Sequence, residues 1–127
     1  MLYVLLKKET NKTLFKNNYL KEKDFQADYI KYLKSEGYRV YKIPDAWYSL
    51  KPFDIFAVKD WKAYAIELKH WVVDEYYKIY KMLRPNQVGW LSNFQEHWGV
   101  SKVVWRDSKK KKIFEYDFKY QKYQWEL

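Results

Sequence analysis

The chain has 127 residues, with 25 Lys and Arg against 16 Asp and Glu and a formal net charge of +9. Its 48% hydrophobic and 22% aromatic content excludes a disordered chain, and its length suits one domain, residues 1–127, rather than two. The absence of cysteine excludes disulfides, thiolate zinc sites and a cysteine nucleophile, and His70 and His97 alone cannot build a zinc cage, so any metal would be held by oxygen. No apolar run is long enough to span a bilayer, and Met1 to Leu6 is too short for a signal peptide, so the expectation is a soluble, cytoplasmic protein without a membrane partner. The basic surplus suits a polyanion, nucleic acid first, although surplus lysine also serves plain solubility.

Tyr3 to Leu6 fits a short edge strand, followed by a polar link over Lys7 to Asn18 without regular periodicity. A helical pattern runs from about Leu20 to Glu36 and stops at Gly37. Steps of about 100° put Phe25, Gln26, Tyr29 and Leu33 in one stripe and place Glu22 inside it, whereas Asp24, Asp28, Lys31 and Lys34 fall on the other side. A carboxylate on a core-facing stripe is expensive to desolvate, which singles out Glu22. The competing reading keeps Glu22 wet in the first turn, favourable to the helix dipole.

Tyr38 to Ile43 reads as a strand, and Pro44-Asp45 begins a turn-rich link through Trp47 and Ser49. The stretch Lys51 to His70 reads as a β-hairpin carrying three charges, with Asp54 at the head of the run Ile55 to Val58 and Glu67 and Lys69 closing the second strand. Because strand side chains alternate, Glu67 and Lys69 must share a face with Ala63 and Ala65. An acid and a base on a small-residue face, with an aspartate on the neighbouring strand, suit a divalent ion and an activated water. They equally suit a cross-strand ion pair at a sheet end.

Trp71 to Leu83, with Tyr76, Tyr77 and Tyr80, fits either a short helix or a flap. Its tyrosines suit stacking on unpaired bases, a second subunit, or packing at a wet core edge. Arg84-Pro85-Asn86-Gln87 opens a second helix that leaves at Gly99, with Gln87, Trp90, Leu91, Phe94 and Trp98 in one stripe. Gln87 heads that buried face, where it would reach either a catalytic water or phosphate, or simply a backbone group. Ser101 to Arg106 and Ile113 to Phe118 read as a closing strand pair across Asp107 to Lys112. Lys109, Lys110, Lys111 and Lys112 at the turn would touch phosphate or merely be solvated. Phe114, Tyr116, Phe118 and Tyr120 alternate toward Trp125, suited to covering a sheet edge or to a dimer contact.

The order is a helix bearing Glu22, a strand, a strand bearing Asp54, a strand bearing Glu67 and Lys69, a helix headed by Gln87, and a strand. In this order the sequence resembles the PD-(D/E)XK nuclease superfamily, through Pro52-Phe53-Asp54 and Glu67-Leu68-Lys69. One residue separates the proline from the aspartate, a departure that this degenerate motif tolerates. Glu22-Lys23-Asp24-Phe25-Gln26 and Arg84-Pro85-Asn86-Gln87 are similar to segments of phage and prokaryotic VRR-NUC-type and Holliday-junction-resolvase-like nucleases, and the likeness covers roughly residues 20 to 106.

The resemblance implies an α/β fold with a restriction-endonuclease-like αβββαβ core, a mixed central sheet flanked by helices, and Mg2+- or Mn2+-dependent hydrolysis of DNA, branched DNA included, in a prokaryotic or phage-infected cell. It implies that Asp54, Glu67 and the Leu68 backbone carbonyl bind the ion, that Glu22 holds a metal-bound water, that Lys69 orients or deprotonates the attacking water, and that Gln87 steadies the site. Lys51, Arg84 and Lys109 to Lys112 would contact the DNA backbone. Symmetrical junction cutting would require two subunits, so a homodimer is compatible with this reading. The rival class is a non-catalytic nucleic-acid-binding module of lysines and tyrosines, and a third is a subunit-interaction protein whose aromatics form an interface.

Overall fold

A computed structural model describes residues 2–10, 21–44, 51–71, 83–107 and 112–121. The elements follow as β1 (Leu2–Thr10), α1 (Glu22–Ser35), β2 (Arg39–Lys42), β3 (Ile55–Lys59), β4 (Lys62–Trp71), α2 (Pro85–His97), β5 (Val100–Asp107) and β6 (Lys112–Gln121). They build one six-stranded sheet in the order β1-β6-β5-β4-β3-β2. β4 and β5 run parallel, and the other neighbours are antiparallel. The α/β class, the mixed sheet and the expected αβββαβ core are therefore present. β1 and β6 extend that core on one side.

Alternation along the strands gives the sheet two apolar faces. Phe25, Tyr29 and Leu33 of α1 cover one face, against Ile55, Ala57, Ile66, Leu68, Val104 and Ile113. Leu91 of α2 covers the other, with Phe53, Ala65, Val103, Trp105, Phe114, Tyr116 and Phe118. A Leu such as Leu91, with no exposed surface, contributes about 2 kcal/mol through burial alone. On the α1 face the Tyr29 hydroxyl donates to Glu115 Oε1 at 3.0 Å, and Lys102 pairs with Glu115 at 3.6 Å and with Asp117 at 3.3 Å. Burial, and next the charge of Glu115, pushes the Tyr29 hydroxyl well above its usual range, so it stays a neutral donor.

Local chemistry fixes the ends of these elements. After α1 the Tyr38 N–H donates to the Leu33 carbonyl at 3.0 Å and the Gly37 N–H to the Lys34 carbonyl at 3.1 Å, a Schellman stop with Gly37 at φ 92°. The β3-β4 hairpin turns on Asp60 and Trp61, both in the left-handed region at φ 51° and 67°. Two such residues match the twist of a two-residue hairpin but are strained without glycine. β4 and β5 can run parallel only with a crossover between them, and α2 lies on that path. Ser101 secures it, its hydroxyl donating to the Leu91 carbonyl at 2.6 Å and its N–H to Gln95 Oε1 at 2.7 Å.

Several expectations are corrected. β1 continues to Thr10, into the stretch read as a polar link, because Lys7 to Thr10 complete the ladder with Ile113 to Tyr116. The aromatic alternation from Phe114 to Phe118 covers no sheet edge, since β6 lies inside the sheet between β1 and β5 and those rings are buried. On α2, Gln87 and Leu91 are buried and Phe94 packs on the core, but Trp90 and Trp98 are exposed. Trp90 lies about 60° from Gln87 at the margin of the stripe. Trp98 is the C-cap at φ −121°, where helical extrapolation has ended. The link at Asp45, Trp47 and Ser49, the tyrosines at 76, 77 and 80, and Trp125 lie outside the described residues.

Candidate functional site

Asp54 stands one residue ahead of β3 with its backbone pinned on both sides. Its carbonyl accepts from the Ile43 N–H at 2.9 Å and its N–H donates to the Ile66 carbonyl at 3.1 Å. Phe53 seats the approach by packing edge-on to Phe94 with ring centres 5.9 Å apart. Asp54 is therefore delivered by a rigid backbone. Its Oδ2 accepts from the Leu68 N–H at 2.8 Å and its Oδ1 pairs with Lys51 Nζ at 3.1 Å. Because the N–H and C=O of one strand residue point to the same side, the Leu68 carbonyl also faces Asp54.

Asp54 stands just beyond the Ile55↔Ile66 pair, close enough to Glu67 on the facing strand for the two carboxyls to interact directly. Ala65, Glu67 and Lys69 share the α2 face as the alternation requires, and Lys69 Nζ lies 3.0 Å from Glu67 Oε2. The same oxygen accepts from Gln87 Nε2 at 2.5 Å. The Gln87 carboxamide also uses its other end, Oε1 accepting from the Arg84 N–H at 3.1 Å at the head of α2. One side chain thus caps the helix and fixes an acid of the site. Asp54, Glu67 and Gln87 are each at most 5% exposed. Burial, and next the like charge of Asp54, pushes the Glu67 carboxyl up to about 8, against the pull of Lys69.

These groups floor a cleft of about 540 Å³, whose walls add Lys23 and Gln26 of α1, Lys42 of β2, and Arg84. Among the described residues five cations therefore surround two acids, a setting for a phosphate backbone with a positive ion beneath it. Glu67 Oε1 is buried and has no hydrogen-bond partner among the described residues. An orphaned carboxylate oxygen beside a second carboxylate and a backbone carbonyl fits a hard divalent cation that keeps several waters. Among the described residues no group of three or more His, Cys, Asp or Glu side chains could share an ion, so water and substrate oxygens would complete such a shell.

The structure brings together Lys51, Asp54, Glu67, Leu68, Lys69, Arg84 and Gln87. Glu22 opens α1, but its side chain lies outside the described residues, as do Lys109, Lys110 and Lys111 and the side chain of Lys112. Sequence reasoning missed Lys23 and Lys42. Lys23 was legible as the neighbour of Glu22 at the helix head, and Lys42 as the β2 residue that meets Ile55, next to Asp54.

No family model and no curated protein matches the sequence. Among solved structures the chain is similar to Hjc, a Holliday junction resolvase of the hyperthermophilic archaeon Archaeoglobus fulgidus, with a TM-score of 0.50 and 23% identity. The match covers 65% of this chain and 66% of that one. The two share an α/β fold built on a mixed central sheet.

Proposed function

We propose that the protein is a Mg2+- or Mn2+-dependent endodeoxyribonuclease of the resolvase-like kind, hydrolysing phosphodiesters in branched DNA. One observation carries this reading: Asp54 and Glu67 lie together at the floor of a cation-lined cleft with Glu67 Oε1 unsatisfied. The fold shared with the archaeal resolvase supports it.

Asp54, Glu67 and the Leu68 carbonyl would hold the ion, and Glu22, at the head of α1, would bind one of its waters. When bound, a divalent ion would neutralise phosphate charge and lower the pKa of its bound water toward neutrality. The remaining work falls to the chain's own groups. Lys69, 3.0 Å from Glu67, presents a movable ammonium that can orient the attacking water and balance the charge that develops on phosphorus-bound oxygens. Gln87 holds Glu67 in place from the helix. Lys23, Lys42, Lys51 and Arg84 would position the strand through phosphate contacts, and so set register rather than base preference.

Purified protein incubated with a four-way junction, a flap, a duplex and a single strand, each with Mg2+, Mn2+ or EDTA, tests the reading. Metal-dependent scission is expected, with the junction or flap preferred, and Asp54→Ala or Glu67→Ala should lower it by at least a hundredfold. Undiminished cleavage by both variants would defeat the assignment. The ion pairs of Lys51 with Asp54 and Lys69 with Glu67 favour one competing reading, a non-catalytic binding module. Salt-dependent binding with no scission under any metal would establish it.

A further inference from the structure

The four carboxylate oxygens at the cleft floor are not equally available. Asp54 Oδ2 is tied to the Leu68 N–H, Asp54 Oδ1 to Lys51 Nζ, and Glu67 Oε2 to both Lys69 and Gln87, which leaves Glu67 Oε1 without a hydrogen-bond partner among the described residues. An ion entering here meets one open oxygen and a lysine already seated on the next. The Lys51-Asp54 pair is no ordinary surface ion pair, because the two side chains are only 16% and 7% exposed. At that exposure the pair is poorly screened, and its ammonium and a divalent cation compete for one oxygen.

We infer that Lys51 is a built-in competitor of the metal: it occupies Asp54 Oδ1 until an ion displaces it, and the released ammonium then takes the substrate phosphate. This rests on the nuclease reading above and assigns Lys51 a role that couples metal to DNA. The direction of release follows from the backbone. The Arg84 guanidinium donates to the Lys51 carbonyl at 3.4 Å, so Lys51 hangs beside Arg84, with Lys42 lining the same cleft. A phosphate drawn to those cations offers Lys51 an alternative anion. DNA therefore lowers the cost of vacating Asp54, metal lowers the cost of engaging DNA, and linkage requires the two effects to be equal. Lys51 is a positioning residue in this scheme and takes no part in bond breaking.

Calorimetric titration of the DNA-free protein with Mn2+ reads this without activity. Lys51→Met should bind Mn2+ roughly five- to tenfold more tightly than the wild type, because its competitor is gone. Lys51→Arg, which keeps a cation at the position, should restore affinity to near the wild-type value. Lys42→Met removes a cation from the same cleft and should tighten binding less than Lys51→Met. In cleavage assays Lys51→Met should raise KM for the DNA more than it lowers kcat.

Unchanged or weaker Mn2+ binding by Lys51→Met would overturn the inference, since a lysine that merely steadies Asp54 predicts a loss. Equal tightening by Lys42→Met would overturn it too, leaving only general charge repulsion. Either result leaves the nuclease reading standing, provided Asp54→Ala loses Mn2+ binding. Wild-type affinity in Asp54→Ala would overturn both.

Discussion

Glu67 is held by three demands that pull in different directions: burial and Asp54 favour its neutral form, and Lys69 favours its charge. In the metal-free folded protein its carboxyl titrates at about 8 rather than 4.5. The folded state thus keeps a proton that the unfolded chain releases, so stability is full below about pH 4.5 and is lost as pH rises through about 8. Thermal midpoints of metal-free protein should therefore fall across this window, and Glu67→Gln should flatten the fall. An unchanged slope in that variant would place the titration elsewhere. Gln87 is the second residue on which the site turns, because its amide serves the Arg84 N–H and Glu67 together. Removing it in Gln87→Ala leaves a helix donor uncapped and a buried acid less supported. We expect a loss of about 1 to 2 kcal/mol in denaturant unfolding, together with reduced cleavage.

At the scale of elements, the hairpin and α2 are locked together at two ends. Near the site the lock is Gln87 on Glu67. At the far end Gly99 passes so close to the β4 backbone that a Cβ there would run into the Ala63 carbonyl. The contact is with backbone, which cannot swing aside, so Gly99→Ala must displace α2 or β5. A loss of about 2 kcal/mol is expected by chemical denaturation, together with weaker cleavage as Gln87 shifts. Substitution at Gly89, where a Cβ meets open space, is the control and should leave stability nearly unchanged or slightly raised.

For the whole molecule, the formal charge of +9 acquires direction from the fold. Lys23, Lys42, Lys51, Lys69 and Arg84 come from separate parts of the chain and converge on one cleft. Binding of DNA should weaken steeply with salt, and Lys23→Ala or Lys42→Ala should each reduce the slope of log K against log salt by about 1. Slopes equal to the wild type in both variants would put the phosphate path elsewhere. Lys51→Ala is a poorer probe of this point, since removing its ammonium also frees Asp54 and so changes metal binding at the same time.

The sequence by itself determined what depends on neighbours along the chain. The alternation that puts Ala65, Glu67 and Lys69 on one face, the stop at Gly37, Pro85 at the start of α2 and the order of elements are consequences of local sterics and backbone hydrogen bonding. Asp54 and Gln87 were legible as candidates because each sits at the mouth of an apolar element. Only the tertiary structure decided which partners they meet. Residues 54 and 67 become neighbours through strand register, Gln87 reaches Glu67 because a crossover helix lies on that face, and Lys42 arrives through the β2-β3 ladder. Trp90 and Trp98 mark the same boundary from the other side. Both fit the buried stripe on periodicity, but exposure is set by what packs against a helix and where it ends, neither of which local spacing encodes.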